Sequence, residues 1–443
     1  MIVMKFGGSS LADSEKIKNV SEIIKSNLTN KPIAVFSAIG KTTDALLIAG
    51  NNALLGEVNI ELIRKTHSDV ISELSLAPDL VDDLLAELED LIKEISRVKE
   101  LTLKEKDYLV SFGERMSVRV VSAYLNSIDV PAKFFDGWDA GFITDSNSTN
   151  ALVLDESYER IFSNFSHLMK KYEFTPIVTG FIGKDVEGHI TTFGRGGSDL
   201  TASIIGAALM VDEVQFWKDV AGILTADPKL VGSAKLISKI SFDEASEMAY
   251  FGAKIMHPRS IVPAMRKNIP VRVKNFFNVE GEGTLIMQKR EYGNELVKAI
   301  SLKKDITLVD IVSTRMLNQI GFTSKVFGVF EEEGLSIDMI STSEVSISLT
   351  LDNGKNLGML LEKLKRLAKV HITKGNAIIS LICNIEKSSE ILAMVFAELR
   401  NKDINVKMIS QGASKVNIGL VVDNLQAEEI VKVLHDLFYG GIK

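Results

Sequence analysis

Lysines, glycines and hydroxyl residues crowd three short stretches of the chain, and together they are tools for holding phosphate. The first is Lys5-Phe6-Gly7-Gly8-Ser9-Ser10. The second runs from Ser37 and Ala38 through Ile39-Gly40-Lys41-Thr42-Thr43-Asp44. The third is Thr191-Thr192-Phe193-Gly194-Arg195-Gly196-Gly197-Ser198-Asp199. Glycine lets the backbone turn sharply and approach a ligand. The first N–H groups of a helix lack internal partners and carry partial positive charge, so phosphate oxygens fit there. Lys5 sets a full charge beside the first turn. Arg195 offers a two-pronged fork for a carboxylate or phosphate. Asp199 is placed to approach a metal ion. Glu114, in Ser111-Phe112-Gly113-Glu114-Arg115-Met116-Ser117, is a carboxylate for a substrate ammonium or, equally, for a helix dipole. The first or the second stretch alone would be an ordinary strand-to-helix turn, whereas the third is a strong anion-binding constellation by itself; the three together point to phosphoryl transfer onto a small anionic acceptor. That chemistry needs charge neutralisation and alignment more than a nucleophile made by the protein. No Walker A sequence is present, and no GxGxxG sits on the first strand. The six histidines lack paired metal spacing, so no protein-built zinc site is expected.

These residues need strands that end at one edge of a sheet. Ile2–Met4 reads as a short buried strand, and Ile17, Val20, Ile24 and Leu28 as one face of the helix after it, capped by Ser14. Residues 32–38 (PIAVFSA) form a second strand, and 176–182 (PIVTGFI) a third that ends at Phe181. Strand, loop and helix in repeated succession predict a parallel sheet with ligands at the strand carboxyl ends. Residues 57–106 read as packing helices, with Leu84, Leu88, Leu91 and Ile95 in register. Glu114 and Arg115 read as opening a helix that carries Val118, Val121 and Leu125. Residues 183–190 read as a hairpin and 200–210 as a packed helix. Residues 213–227 read as strand, turn, strand, with Lys218 and Asp219 at the turn. His257, at a His-Pro step, reads as structural.

The last third repeats. Residues 325–341 (KVFGVFEEEGLSIDMIS) align without gaps on 394–410 (MVFAELRNKDINVKMIS), an offset of 69, and 346–353 then aligns on 417–424. Strand segments 306–313 and 377–384 precede the two units. The pattern is a β-α-β-β-α-β unit used twice. Residues 297–305 read as an extra leading strand, which allows one unit to be inserted in the other.

At 443 residues the chain is long enough for two to four domains, and 46% hydrophobic content supports sizeable cores. The net charge of −7, with no basic run, speaks against nucleic acid as a partner. Cys383 is the sole cysteine, so no internal disulfide forms, as expected in a reducing compartment. The amino terminus reads as lacking a signal peptide, and no apolar run approaches the roughly 20 residues that span a bilayer. A cytoplasmic protein away from membranes is the expectation.

The motifs KFGGSS (5–10), SFGERMS (111–117), GFIG (180–183), TTFGRGGSDLTA (191–202), WKDVAGILTADP (217–228) and FGAKIMHP (251–258), followed by two repeats, resemble aspartate kinases of the amino-acid kinase fold over essentially the whole chain. The resemblance implies an α/β fold: a three-layer kinase domain with a mainly parallel central sheet, then two ferredoxin-like ACT domains. The implied boundaries are 1–294 for the kinase, 306–372 for the first ACT domain, and 295–305 with 373–443 for the second. It implies ATP- and Mg²⁺-dependent phosphorylation of the β-carboxylate of L-aspartate to 4-phospho-L-aspartate, the first step of lysine, threonine and methionine biosynthesis, under feedback inhibition through the ACT domains. The chain's end at Lys443 implies a kinase without a fused dehydrogenase.

By matching positions, Lys5 and Asp199 would be catalytic, Asp199 on the metal side. Ser37, Ala38, Thr43, Glu114, Phe181, Arg195 and Ser198 would hold aspartate. Lys5, Gly7, Gly8, Ser9, Lys218, Asp219, Leu224, Asp227, Lys229 and Lys254 would surround the nucleotide. An amino-acid effector, lysine first and threonine second, would meet Met316, Gln319, Gly321, Phe322, Thr323, Ser336, Ile337, Asp338, Ser343 and Glu344. ACT domains pair between subunits, which implies a homodimer or homotetramer. Lys218 and Leu224 stand where many relatives carry Thr and Tyr. The alternatives are another small-carboxylate kinase of the same fold, or a non-catalytic amino-acid-binding regulator.

Overall fold

A computed structural model describes residues 1–252, 256–289, 295–313, 316, 320–352, 357–411 and 416–440. The chain forms two compact units. The first comprises 1–223, 238–242 and 256–290; the second comprises 224–237, 243–255 and 291–443.

The first unit is built on an eight-stranded sheet. Its strands are β1 (Ile2–Phe6), β2 (Pro32–Phe36), β3 (Ala132–Phe135), β5 (Thr175–Thr179), β8 (Glu213–Lys218), β9 (Lys239–Ser241), β10 (Val271–Asn275) and β11 (Thr284–Met287). A small second sheet holds β4 (Ile143–Thr144), β6 (Ile182–Asp185) and β7 (Ile190–Thr192). The order in the large sheet is β3-β5-β2-β1-β8-β10-β11-β9, parallel throughout except where β10 meets β11. β1 lies inside, and all five of its residues are buried, Lys5 among four apolar ones, as expected of a strand covered on both faces. Successive side chains point to opposite faces. Ile2, Met4 and Phe6 join a core with Phe112 and Met116 of the helix Leu103–Ser127. Phe6 stacks between Phe36 and Trp217, at 5.4 and 6.0 Å between ring centres. Lys5 therefore faces the other side, toward the helix Gly197–Leu209, which packs on β1, β2 and β8.

Several local expectations are corrected. A 3₁₀ turn, Gly8–Leu11, precedes the first helix, Ser14–Ser26. Its cap is Asp13, which accepts the Lys16 N–H at 2.9 Å, while the Ser14 hydroxyl donates to Glu73 at 2.7 Å. Glu114 and Arg115 do not open a helix. They lie mid-way along Leu103–Ser127, which starts at a reciprocal cap between Thr102 and Glu105. The second strand expected in 213–227 is absent: after β8 the chain makes only a single bridge, Leu224 with Leu236. Among the described residues no helix is long and apolar enough to cross a membrane.

The second unit holds a six-stranded antiparallel sheet, ordered β13-β14-β12-β15-β17-β16. These are β12 (Val297–Val312), β13 (Ile337–Thr342), β14 (Ser346–Asp352), β15 (Lys369–Cys383), β16 (Met408–Ser410) and β17 (Asn417–Asp423). The two strands read from 297–313 are one continuous strand, because the polar Lys303-Lys304-Asp305 step is absorbed as an irregularity in its pairing with β15. Beyond that step Leu308–Val312 pairs with Lys369–Thr373, and before it Val297–Lys303 pairs with Ile378–Cys383. Each repeat thus borrows half of each long strand. The helices Phe322–Glu332 and Leu357–Lys365 pack over the first half-sheet, and Ser388–Asn401 and Ala427–Tyr439 over the second.

The stacked aromatic trio of Phe6, Phe36 and Trp217 holds the three strands that carry the site. Phe6→Ala is expected to cost about 3–5 kcal/mol, read as an earlier urea midpoint for the first unfolding transition.

Candidate active site

Lys5 and Lys218 meet on one carboxylate. β1 and β8 are parallel neighbours, and Lys218 is the last residue of β8. Lys5 Nζ lies 2.8 Å from Asp199 Oδ1, and Lys218 Nζ lies 2.9 Å from Asp199 Oδ2. Asp199 stands in the first turn of the helix Gly197–Leu209, and both Lys5 and Asp199 are buried. Burial opposes ionisation of Asp199, but the two lysine charges outweigh it and hold the carboxyl at about 2. Burial, aided by the charge of Lys218, moves Lys5 below the ordinary lysine value, against the pull of Asp199. The trio carries a net positive charge at the carboxyl end of the central strands. Asp199 Oδ1 has no aligned hydrogen-bond donor.

Glu114 approaches from the helix Leu103–Ser127. A Cβ on Gly113 would sit 2.7 Å from the Ala38 side chain, so only glycine lets this helix close on the second loop. Glu114 Oε1 accepts the Ala38 N–H at 3.3 Å, and Oε2 has no partner. Burial pushes its carboxyl up to about 8, against the pull of the Ala38 N–H and of Lys5. An empty-handed carboxylate oxygen this well buried is a receptor for a cation.

The loops are fitted to one another. A Cβ on Gly8 would meet the Gly40 carbonyl oxygen at 2.7 Å, so the first and second loops touch backbone to backbone. Ser37 Oγ donates to Ser198 Oγ at 3.0 Å, joining the second loop to the third. Phe181 holds a left-handed backbone, φ 72°, rare for an aromatic residue and costing about 1–3 kcal/mol. Its N–H donates to Thr201 Oγ1 at 3.0 Å, which fixes the strained residue to the third loop's helix. Asp107 is not among the residues read from the sequence. It is buried in the helix Leu103–Ser127 and accepts from Thr192 Oγ1 at 2.7 Å, Thr192 N–H at 3.2 Å and Thr149 N–H at 2.8 Å. A buried carboxylate so held anchors the strand that leads into the third loop. Its one sequence signal is an acidic residue on a helix face otherwise given to Tyr108 and Ser111, too weak to single out.

The other residues fall as follows. Gly7 and half-buried Gly8 follow Lys5, and Ser9 is exposed beside them. Thr43 lies in the first turn of the helix Thr42–Leu54. Arg195 is exposed between Gly194 and Gly196, each at φ 72°. Asp219 is exposed just beyond β8. Leu224, Asp227 and Lys229 belong to the second unit, where Asp227 Oδ1 accepts the Lys229 N–H at 2.9 Å. His257 caps the helix Pro258–Arg266, a structural role as expected. Lys254 and Gln319 lie outside the described residues. In the second unit, Met316 precedes Gly321, Phe322 and Thr323 at the start of the helix Phe322–Glu332, and Ser343 and Glu344 form the turn after β13. Ser336, Ile337 and Asp338 lie at the opposite end of β13, roughly 17 Å away at strand spacing. Within one chain the effector set is therefore two clusters.

A glycine-lined cationic edge beside a buried receptor for an ammonium, on this sheet, defines a kinase of small molecules. The amino acid kinase family model matches residues 1–275, and an ACT domain model matches 309–355 and 379–438. Aspartokinase 1, chloroplastic, of Arabidopsis thaliana is 46% identical over 458 residues, covering 99% of this chain and 80% of that protein. Lysine-sensitive aspartokinase 3 of Escherichia coli is 34% identical, covering 98% of each chain. The structure of E. coli aspartokinase III in complex with aspartate and ADP (R-state) matches with a TM-score of 0.84 and 32% identity, over 99% of this chain and 100% of that one. The same enzyme with lysine and aspartate (T-state) matches at a TM-score of 0.78 and 32% identity, over 99% of each. The chain belongs to the amino acid kinase family. Within it the chain belongs to the aspartokinases, ATP-dependent kinases of aspartate under ACT-domain feedback.

The Glu114 carboxyl is near 4.5 in an ordinary setting and about 8 in the fold, so the unfolded chain gives up its proton first. Between those values, rising pH favours unfolding; below both, the effect vanishes. Glu114→Gln is expected to stabilise the ligand-free protein at about pH 8.5 by on the order of a few kcal/mol, and far less at about pH 5. Urea unfolding at the two pH values measures this.

Proposed function

We propose that this chain transfers the γ-phosphoryl group of ATP to the β-carboxylate of L-aspartate, giving 4-phospho-L-aspartate and ADP. The observation that carries the reading is the buried Lys5 and half-buried Lys218 held on the buried Asp199, with Glu114 Oε2 left without a partner beside the second loop. A carboxylate oxygen attacks phosphorus without losing a proton, so no general base is required. What the protein must supply is positive charge and alignment. Lys5 lies against the transferred group, and Asp199 keeps both lysines aimed while remaining ionised. Gly7, Gly8 and Ser9 line the phosphates. Glu114 receives the aspartate ammonium, and Arg195 clamps its α-carboxylate. Ser37, Ala38, Thr43, Phe181 and Ser198 complete that pocket. Lys218 and Asp219 take the nucleotide side, a role the motif match also gives to Leu224, Asp227, Lys229 and Lys254.

Both oxygens of Asp199 are taken by ammonium groups, Lys5 at 2.8 Å and Lys218 at 2.9 Å, so the metal-side role read for it does not fit, and magnesium would enter with ATP. When bound with ATP it would neutralise phosphate oxygens. We read 1–294 as the kinase domain, 306–372 as one ACT domain, and 295–305 with 373–443 as the other. L-lysine is the first effector to try and L-threonine the second. The sites are the two clusters on either end of β13: Met316, Gly321, Phe322, Thr323, Ser343 and Glu344 at one, Ser336, Ile337 and Asp338 at the other; Gln319 belongs to the set by its motif position. Since one chain separates them, pairing of ACT domains in a homodimer or homotetramer would bring them to a shared ligand. A cytoplasmic location is our reading for this chain, although the Arabidopsis relative is named chloroplastic.

Aspartate-dependent ADP release with Mg-ATP tests the reaction. Lys5→Ala is expected to lower kcat by about 10²–10³-fold with the fold retained, and unaltered turnover would remove Lys5 from the mechanism. L-lysine is expected to suppress ADP release, and Ser336→Ala or Glu344→Ala to relieve that inhibition with smaller effects on kcat. Equal sensitivity in both variants would place the effector elsewhere.

A further inference from the structure

A cavity of about 310 Å³ lies within the second unit, between the helix Phe242–Tyr250 and one face of the six-stranded sheet. That is the small end of ordinary ligand sites. The sheet face is set by register. Ser301 opposes Ser380, which opposes Gly419, and Lys303 opposes Ile378, so these side chains share a face. The apolar part of the same face packs on Phe251, with Ile378, Met339 and Val421. The cavity opens where the two repeats meet. A Cβ on Gly419 of β17 would come 2.7 Å from Met339 Cε of β13, so glycine keeps that seam open.

The helix presents every third residue to the sheet, which puts Glu244, Glu247 and Tyr250 on one side. Glu244 takes the ammonium of Lys298 at 3.0 Å. The Tyr250 hydroxyl donates to Asp338 Oδ1 at 2.8 Å, and Asp338 Oδ2 holds Lys303 at 2.9 Å. Lys303 is itself shared with Asp352 at 2.8 Å, so its charge is already spoken for. Glu247 alone is different. It lines the cavity, its Oε2 accepts only the Asn417 amide at 2.8 Å, and among the described residues no cation reaches it. Burial, with the charge of Asp243, pushes its carboxyl above the ordinary value, which is what a carboxylate short of a partner does. Across the same face the buried Ser301 hydroxyl also lacks a partner.

We propose that this cavity is a binding site for a small organic cation, a primary ammonium on a short aliphatic chain, with Glu247 receiving the ammonium and Asn417 and Ser410 lining its flank. The site stands apart from the effector clusters proposed above, sharing only Asp338 with them, and it does not rest on that reading. Its ligand would tie the helix Phe242–Tyr250 to the seam of the two repeats.

The probe is 1,5-diaminopentane, which has the ammonium groups and no carboxylate. Its neutral counterpart is 1,5-pentanediol. Calorimetric titration of the full chain at physiological salt is expected to show saturable binding of the diamine, one per chain, and none of the diol. Glu247→Gln keeps the Asn417 hydrogen bond and is expected to weaken the diamine tenfold or more, while ADP release is retained. Ser336→Ala and Glu344→Ala are expected to leave diamine binding unchanged, so a misplaced effector site and an absent amine site give different results. No saturable binding to the wild-type chain, equal affinity in Glu247→Gln, or equal binding of the diol would each overturn the proposal.

Discussion

One aspartate clamped between two lysines is the constraint on which the rest of the first unit depends. Burying a lone ammonium on a central strand is strongly unfavourable, and burying two side by side is worse. Asp199 makes both tolerable, and its own ionisation is secured by them. The three residues come from three distant places: the carboxyl end of β1, the end of β8 and the first turn of a helix. Bringing them within 3 Å therefore demands that β1 and β8 be neighbours and that the helix Gly197–Leu209 lie across them. The parallel sheet order follows from that demand as much as from its apolar core.

The same arrangement explains why the site is poised for an anion. Two ammonium groups against one carboxylate leave a surplus positive charge at the strand ends, although the whole chain carries −7. Local geometry thus reverses the global field. Glu114 completes the logic from the other side. It is a carboxyl group set against the substrate pocket, it has an oxygen without a partner, and burial holds it short of ionisation until a cation binds there. Together the surfaces distinguish the two ends of a zwitterion.

Much of this was legible in the chain, and the reasons differ by residue. Lys5 with Gly7 and Gly8, and Arg195 among its glycines, announce themselves because a loop that approaches phosphate needs those residue types in immediate succession. The repeat was legible because 325–341 and 346–353 recur in the same order at 394–410 and 417–424, and the strand pairing in the second unit follows it. What stayed hidden was tertiary. Nothing local to position 199 says that it will hold residues 5 and 218. Glu114 reads as a helix start because glycine precedes it, yet Gly113 is there for close approach to Ala38, not for a turn. Asp107 was missed because its partners, Thr149 and Thr192, lie far along the chain. The polar step at 303–305 reads as a strand break, and cross-strand pairing on both sides carries the chain through it.

The two long strands of the second unit have a consequence for how such a chain can evolve and be taken apart. Both strands run through both repeats, yet 308–312 with 369–373 completes the four-stranded half-sheet of the first, and 297–303 with 378–383 that of the second. The first repeat is therefore one continuous stretch of chain set into the second, joined to it end to end along β12 and β15. A cut there falls between the two ladders of hydrogen bonds and leaves each with its four strands. A gene-level swap of the first repeat for a sensor of another metabolite needs only two junctions, whereas the second, split in the chain, cannot be exchanged as one piece.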